Sequence, residues 1–328
     1  MIATTAMQSD NQATDREVLI QSGWAALPAD YRIPDVAPTL EEAQAWCKQL
    51  AEAHYENFPV ASWFLPRELR AHFHSIYAYC RVSDDLGDEV GDAEQALALL
   101  DLWGRELDEC YEGRARHPVF VALQETIRDC FIPKEPFADL LVAFRQDQKV
   151  TRYDTIDDVL AYCRYSANPV GRLVLYVCGE SNEENIRLSD ATCTALQLAN
   201  LWQDVREDYA RGRIYIPKND MEVFRVSEAQ IAEGIVTPEF RGLIRCEVDF
   251  ARSLFDEGLP LIGKVSRDVA LDLELFSRGG REVLRAIERQ GYDVLTVRPT
   301  ISKSRKLALV LRAASGKLLP FLRLGSRV

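Results

Sequence analysis

"LQLANLWQDVREDYARGRIYIP", residues 196–217, carries two patterns at once. Leu196, Leu198, Ala199, Leu201, Trp202 and Val205 are apolar. Gln197, Asn200, Asp204 and Asp208 follow one another at spacings of three, four and four. On a helix, residues three or four apart lie on one face, so the second set forms a polar stripe on an otherwise apolar helix. Such a stripe is costly to bury without partners. "YAYCRVSDDLGDE", residues 77–89, repeats the arrangement with Tyr77, Arg81, Asp84 and Asp88 at spacings of four, three and four. Two such segments predict helices that each present a line of carboxylates.

Two readings of these lines are open. Acidic residues number 51 of 328, so a single pair of acids four apart is ordinary and usually marks a solvated face. Two carboxylates one helical turn apart repel by a few tenths of a kcal/mol, and a divalent cation reverses that penalty. Mg²⁺ is a hard ion that takes oxygen ligands, keeps several waters and joins one or two carboxylates to substrate phosphates. Two facing stripes would hold Mg²⁺ around a diphosphate.

The rest of the chain narrows the class. Apolar residues make up 47% of it, enough for a sizeable core. The net charge of −12 argues against a nucleic-acid binder. That charge is uneven. From Arg298 onward there are eight Lys or Arg and no acid, which leaves −20 on the first 297 residues once those eight are taken from the total. The eight cysteines form no CxxC pair and read as free thiols in a reducing compartment. No signal peptide and no run of 18 apolar residues is present, so a cytoplasmic location is expected.

From residue 40 the periodicity is helical almost throughout. Helices are expected over "LEEAQAWCKQLAEAHYENF", from "RELRAHFHSIYAYC" onward after Pro66, and over "DAEQALALLDLWGRELDECYEG", with Asp92 as its cap and Gly113 as its stop. Further helices are expected near 117–130, 135–148, 155–178, 186–210, 237–263, 267–289 and 302–312, the third interrupted at Asn168-Pro169. "RIYIP" is too short to found a sheet, and no glycine-rich phosphate loop occurs. The expected layout is a polar N-terminal tail over 1–38, a single all-α domain over 39–313 and a basic C-terminal tail over 314–328.

"YAYCRVSDDLGDE" and "LQLANLWQDVREDYARGRIYIP" resemble the two aspartate-rich signatures of the squalene/phytoene synthase family, and the likeness spans roughly residues 45–312. It implies an isoprenoid-synthase fold with a central cavity. It also implies Mg²⁺ ligands at Asp84, Asp88, Asp204 and Asp208, with Tyr77, Arg81, Gln197 and Asn200 lining the site. "HYENFPVASWFLP" is similar to a family segment that places His54 and Phe58 near a diphosphate; taken alone, His54 reads as a surface helix histidine. "AYCRYSANPVGRLVL" matches a helix whose Tyr162 would face the cavity. Asn168 there would either satisfy the backbone freed by Pro169 or hold a reacting water. Gln203 stands where related enzymes often carry Arg, which implies one cation fewer beside Asp204.

Within the family, "NFPVASWFLP" and "SANPVGR" are most similar to the hopanoid-pathway subgroup resembling hydroxysqualene synthase. The resemblance implies conversion of presqualene diphosphate and water to hydroxysqualene. Head-to-head coupling of two prenyl diphosphates is the near alternative, a class I terpene cyclase a more distant one, and a non-catalytic lipid-binding or assembly relative an alternative of another class. The basic stretch after Arg298 would touch anionic lipid on the inner face of the membrane, or diphosphate, or be a solvated helix.

Overall fold

The computed structural model describes residues 16–53 and 67–302. The chain is all-α, a single domain built from two compact units. Among the described residues the β pairing is one isolated bridge, Arg152 with Ile214; as its length predicts, "RIYIP" starts no sheet.

The first unit holds described residues 16–53, 67–150 and 176–179. Its helices are α1 (Leu40–Ala53), α2 (Arg70–Asp88), α3 (Ala93–Tyr111), α4 (Pro118–Cys130) and α5 (Glu135–Asp147). Helix α1 packs on α2 and α4, and α3 packs on α2, α4 and α5. Helix α2 is set by its apolar spacing: Phe73, Ile76, Tyr79, Val82 and Leu86 are all buried. The core of the unit is aromatic. Trp103 and Phe120 have ring centroids 4.5 Å apart, and Tyr79 meets Phe137 edge-on at 5.0 Å. Their polar ends are satisfied, Tyr79 donating to the Phe137 carbonyl and Trp103 to Ser83 Oγ. Asp92 caps α3 by accepting from the Gln95 amide, and the chain leaves that helix through Gly113 at φ +81°. Residues 16–38, within the expected N-terminal tail, bury Ile20, Trp24, Leu27 and Tyr31.

The second unit holds residues 151–175 and described residues 180–302. It contains α6 (Ile156–Ser166), α7 (Asn168–Val177, whose last two residues fall in the first unit), α8 (Glu183–Gln203), α9 (Val205–Ala210), α10 (Lys218–Val223), α11 (Glu228–Glu233), α12 (Pro238–Gly258) and α13 (Arg267–Arg289). Helix α8 is its strut, with α6, α12 and α13 packed on it. The break before Pro169 falls where expected, at Ala167. The helix expected over 186–210 is corrected: it stops at Gln203 and restarts at Val205, with Asp204 at φ −104°, ψ 13° serving both ends. The Asp204 amide still bonds the Asn200 carbonyl at 2.9 Å and the Asp208 amide bonds the Asp204 carbonyl at 2.8 Å, so the four-residue spacing survives the break. The helix expected over 302–312 lies outside the described residues beyond its first position. All eight cysteines are free, as expected.

One buried acid makes stability pH-dependent. Glu247 on α12 is 4% exposed and shares a hydrogen bond with Asp220 of α10. Burial, and then the Asp220 charge, push its pKa up to about 8 from 4.5. The native state therefore holds a proton that the unfolded chain releases above pH 4.5, and stability falls as pH rises from there through about 8. Glu247→Gln mimics the protonated form. Its melting temperature should match that of the parent near pH 5 and exceed it at pH 9, by a free energy on the order of a few kcal/mol. Parallel pH dependences for the two proteins in thermal melts would remove the buried proton.

Candidate active site

The first aspartate pair sits on α2. Tyr77, Arg81 and Asp84 are partly exposed and Asp88 is exposed, while the intervening apolar residues are buried, so the expected stripe exists. Asp84 keeps about half of its side-chain surface (49%). Burial of its carboxyl, followed by the charge of Asp88 one turn on, raises its pKa to about 6, against the opposing pull of Arg81. Arg81 meets Asp84 only in a long ion pair, at 3.8 Å. It forks Asp85 instead, with Nε donating to Oδ2 at 3.0 Å and a terminal nitrogen on Oδ1.

Asp85 was not singled out in the sequence. It is 5% exposed and also accepts from the Tyr31 hydroxyl at 2.7 Å. The signal was available, because Asp85 lies three residues from Val82 and shares its core-facing side rather than that of Asp84.

The second pair sits at the α8–α9 junction. Gln197, Asp204 and Asp208 are partly exposed and Asn200 is exposed, again on one line. Burial and then the Asp204 charge raise the Asp208 pKa to about 7, with Arg211 and Arg213 opposing. Arg298 forks Asp204, its Nε donating to Oδ1 at 2.5 Å and a terminal nitrogen donating to Oδ2 at 3.0 Å; the same Nε lies 3.1 Å from Glu207. Gln203 is buried, accepts from Arg298 at 3.4 Å and donates to the Pro299 carbonyl. Arg206 donates to the carbonyls of Leu295 and Thr296 at 2.9 and 2.8 Å. A cation does stand beside Asp204, supplied by Arg298 and not by position 203. Gln203 anchors the segment that delivers Arg298, from 94 residues downstream. Spacing gave no sign of that contact, and Arg298 read only as the start of a basic stretch. An open recess of about 290 Å³ beside it is lined by Arg206, Glu207, Val294 and Thr296.

Tyr162 is 5% exposed and joins a ring cluster, 5.8 Å from Tyr153 and 5.5 Å from Tyr215 between centroids. Tyr215 comes from "RIYIP", which gives that stretch a packing role. The Asn168 side-chain oxygen accepts from Thr194 Oγ1 of α8 at 2.9 Å. His54 and Phe58 lie outside the described residues.

Among the described residues no three His, Cys, Asp or Glu side chains gather into a self-sufficient metal site. The donors that do pair are suited to an ion that takes the rest of its shell elsewhere. Each pair is all-oxygen, is four residues apart, and contains one carboxyl whose pKa is raised first by burial and then by its partner's charge. That is the ligand set of a hard divalent ion completed by water and phosphate oxygens. The residues therefore fit Mg²⁺.

Comparison with known proteins bears directly on these pairs. The family model for squalene/phytoene synthase matches residues 51–305. The chain belongs to the squalene/phytoene synthase family. Phytoene synthase 1 of Zea mays is 31% identical over 90% of this chain and 72% of its own length. The 15-cis-phytoene synthase of Synechococcus elongatus is 30% identical over 82% and 91%. Among solved structures, squalene synthase HpnC from Alicyclobacillus acidocaldarius superposes with a TM-score of 0.75 at 46% identity, covering 83% of this chain and 99% of that one. A dehydrosqualene synthase gives a TM-score of 0.76 at 26% identity, covering 85% and 98%. The fold is the isoprenoid-synthase type of these relatives. Members of the squalene/phytoene synthase family are enzymes that act on prenyl diphosphates and typically depend on a divalent metal. The matched residues include both aspartate pairs and Arg298; Tyr31 precedes them. Among the described residues, no helix is long and apolar enough to cross a membrane.

Proposed function

We propose that this protein converts presqualene diphosphate and water to hydroxysqualene and diphosphate in an Mg²⁺-dependent reaction. The observation that carries the reading is the repeated local chemistry. Asp84–Asp88 and Asp204–Asp208 each combine two carboxyls four residues apart, one of them with its pKa raised by burial and by its partner's charge, with a guanidinium at ion-pair distance, Arg81 in one case and Arg298 in the other. Carboxylates select the metal and guanidinium groups select phosphate oxygens. When bound, Mg²⁺ supplies charge stabilisation to the departing diphosphate.

The chain's own residues do the rest. Arg81 in the first unit and Arg298 in the second each offer a guanidinium to phosphate oxygens. Tyr77 of the first unit and Gln197 and Asn200 of the second offer polar groups to the substrate. Tyr162, held by Tyr153 and Tyr215, forms apolar wall for the carbocation. Asn168, fixed through Thr194, orients the water whose oxygen bonds to carbon as its proton leaves. The identity of 46% to squalene synthase HpnC, against 31% to the maize phytoene synthase, supports a C30 substrate. The phytoene synthase relatives support the second reading, head-to-head coupling of two prenyl diphosphates.

Purified protein, Mg²⁺ and presqualene diphosphate in ¹⁸O-labelled water should yield a C30 alcohol with one labelled oxygen, unchanged by NADPH. Mass spectrometry decides. Squalene formed only with NADPH would replace the reading with a reductive synthase. No reaction on presqualene diphosphate, with C30 or C40 product from two prenyl diphosphates, would favour coupling. A protein inert to every diphosphate would point to the non-catalytic alternative.

A further inference from the structure

Arg81 has a choice of partners. Asp84 lies three residues on and Asp85 four, and both are within reach of its side chain on a helix. A close fork of Arg81 on Asp84 would have to be exchanged before that carboxylate could hold the metal ion of the proposed chemistry, as the Arg298 fork on Asp204 must be. The structure shows Arg81 turned to Asp85, with Asp84 3.8 Å away and half exposed.

The cause lies outside the residues that match the family model. Tyr31 ends a short helical turn (Ala29–Tyr31) in the N-terminal segment, is 3% exposed, and donates its hydroxyl to Asp85 Oδ2 at 2.7 Å. The segment is held from two sides. Trp46 of α1 donates to Asp30 Oδ2 at 3.0 Å and meets the Tyr31 ring edge-on at 6.1 Å. The buried His117 ring, edge-on to both Trp46 and Trp103, faces the Asp30 and Tyr31 backbone. Burial and the adjacent Asp85 hold the Tyr31 hydroxyl above its ordinary pKa, so it stays a donor. Asp85, itself buried, needs charge-assisted partners, and Tyr31 and Arg81 supply them together.

We propose that Tyr31 is a positioning residue for the first aspartate pair: by fixing Asp85 it holds the close contacts of Arg81 there, so that Arg81 meets Asp84 only in a 3.8 Å ion pair and leaves the Asp84 oxygens to a divalent ion. The relay runs from the Tyr31 hydroxyl through the Asp85 carboxylate to the Arg81 guanidinium, all within the first unit. It has the form of an outer shell that orients a metal ligand, a kind of contact whose loss commonly weakens metal binding about 10- to 100-fold. The inference rests on the proposed Mg²⁺-dependent function.

The test uses the full chain, Mn²⁺ as the paramagnetic probe and inorganic diphosphate. Free Mn²⁺ is counted by electron paramagnetic resonance across a titration, beside thermal melts. Tyr31→Phe, which removes only the hydroxyl, should weaken Mn²⁺ binding about tenfold or more. Trp46→Phe loosens the same segment without touching Asp85, and should leave binding within about twofold of the parent, inside the spread expected for a contact outside the relay. In a cycle with Asp85→Asn, the second substitution should add little once the relay is cut. Mn²⁺ binding by Tyr31→Phe equal to that of the parent would overturn the inference, as would an equal loss in Trp46→Phe, which would mark a merely structural segment. A parent protein that binds no Mn²⁺ with diphosphate would overturn the proposed function and the relay with it, whereas a normal parent with an unaffected Tyr31→Phe variant removes the relay alone.

Discussion

Asp204→Ala is expected to cut turnover by about a thousandfold or more while leaving the protein folded. The size follows from the role the proposed function gives Asp204, a metal ligand where diphosphate charge develops, since losing even one stabilising contact there commonly costs about 10²–10³. The stability side is small. The Arg298–Asp204 pair is 42% and 25% exposed, and pairs that reach solvent contribute at most about 1 kcal/mol. The side chain also lies between α8 and α9 rather than inside either, so no helical packing is lost. Asp84→Ala should behave alike, being half exposed and paired only at 3.8 Å. Turnover, circular dichroism and a thermal melt on each variant decide the matter. Parental turnover in either variant would end the metal-ligand assignment, and loss of the folded signal would recast the aspartates as structural.

The largest stability effect is expected at Gly258. Its backbone is ordinary helix, φ −75°, ψ −17°, so alanine meets no conformational barrier there and would gain about 1 kcal/mol of helix propensity. Space reverses the sign. A Cβ at Gly258 would lie 2.1 Å from Thr192 Oγ1, 2.9 Å from the Leu188 carbonyl oxygen and 3.1 Å from the Thr192 amide. The hydroxyl can rotate away, but the two backbone atoms of α8 are fixed. Forcing α12 off α8 costs about 1–3 kcal/mol in a packed core, and more when backbone must shift. Gly258→Ala should therefore lower the melting temperature by several degrees. Gly279, inside α13 with nothing within 4 Å of a Cβ, makes the control, since Gly279→Ala should raise it. Equal shifts of either sign in the two variants would remove the close approach as the cause.

Much of this was legible because helices announce themselves by period. The spacing of Phe73, Ile76, Tyr79, Val82 and Leu86 fixes both the existence of α2 and which side Asp84 and Asp88 occupy. The break at Ala167 followed from Pro169, a covalent constraint that needs no tertiary knowledge. The break at Asp204 had no such cause in the chain, since Val205 continues the apolar pattern. Helices α10 and α11 were missed for different reasons. Helix α10 has six residues, too few for a period to show. Helix α11 is equally short but carries a readable mark, the reciprocal Ser227–Gln230 capping box. The site divides the same way. The two stripes were local and visible. Arg298 on Asp204 and Tyr31 on Asp85 join residues 94 and 54 positions apart, and no local pattern encodes such pairings.

The Arg298 fork has a consequence for how the second aspartate pair fills. A resident guanidinium already satisfies both oxygens of Asp204, so a lone divalent ion would arrive beside a positive charge and compete with it. An ion that comes accompanied by a diphosphate brings its own anion, to which Arg298 can turn as Asp204 changes partner. The charge count is then never left unbalanced, and metal and substrate each make room for the other. Loading becomes a single exchange of partners rather than two independent bindings, and an enzyme without substrate is spared an ion it cannot use.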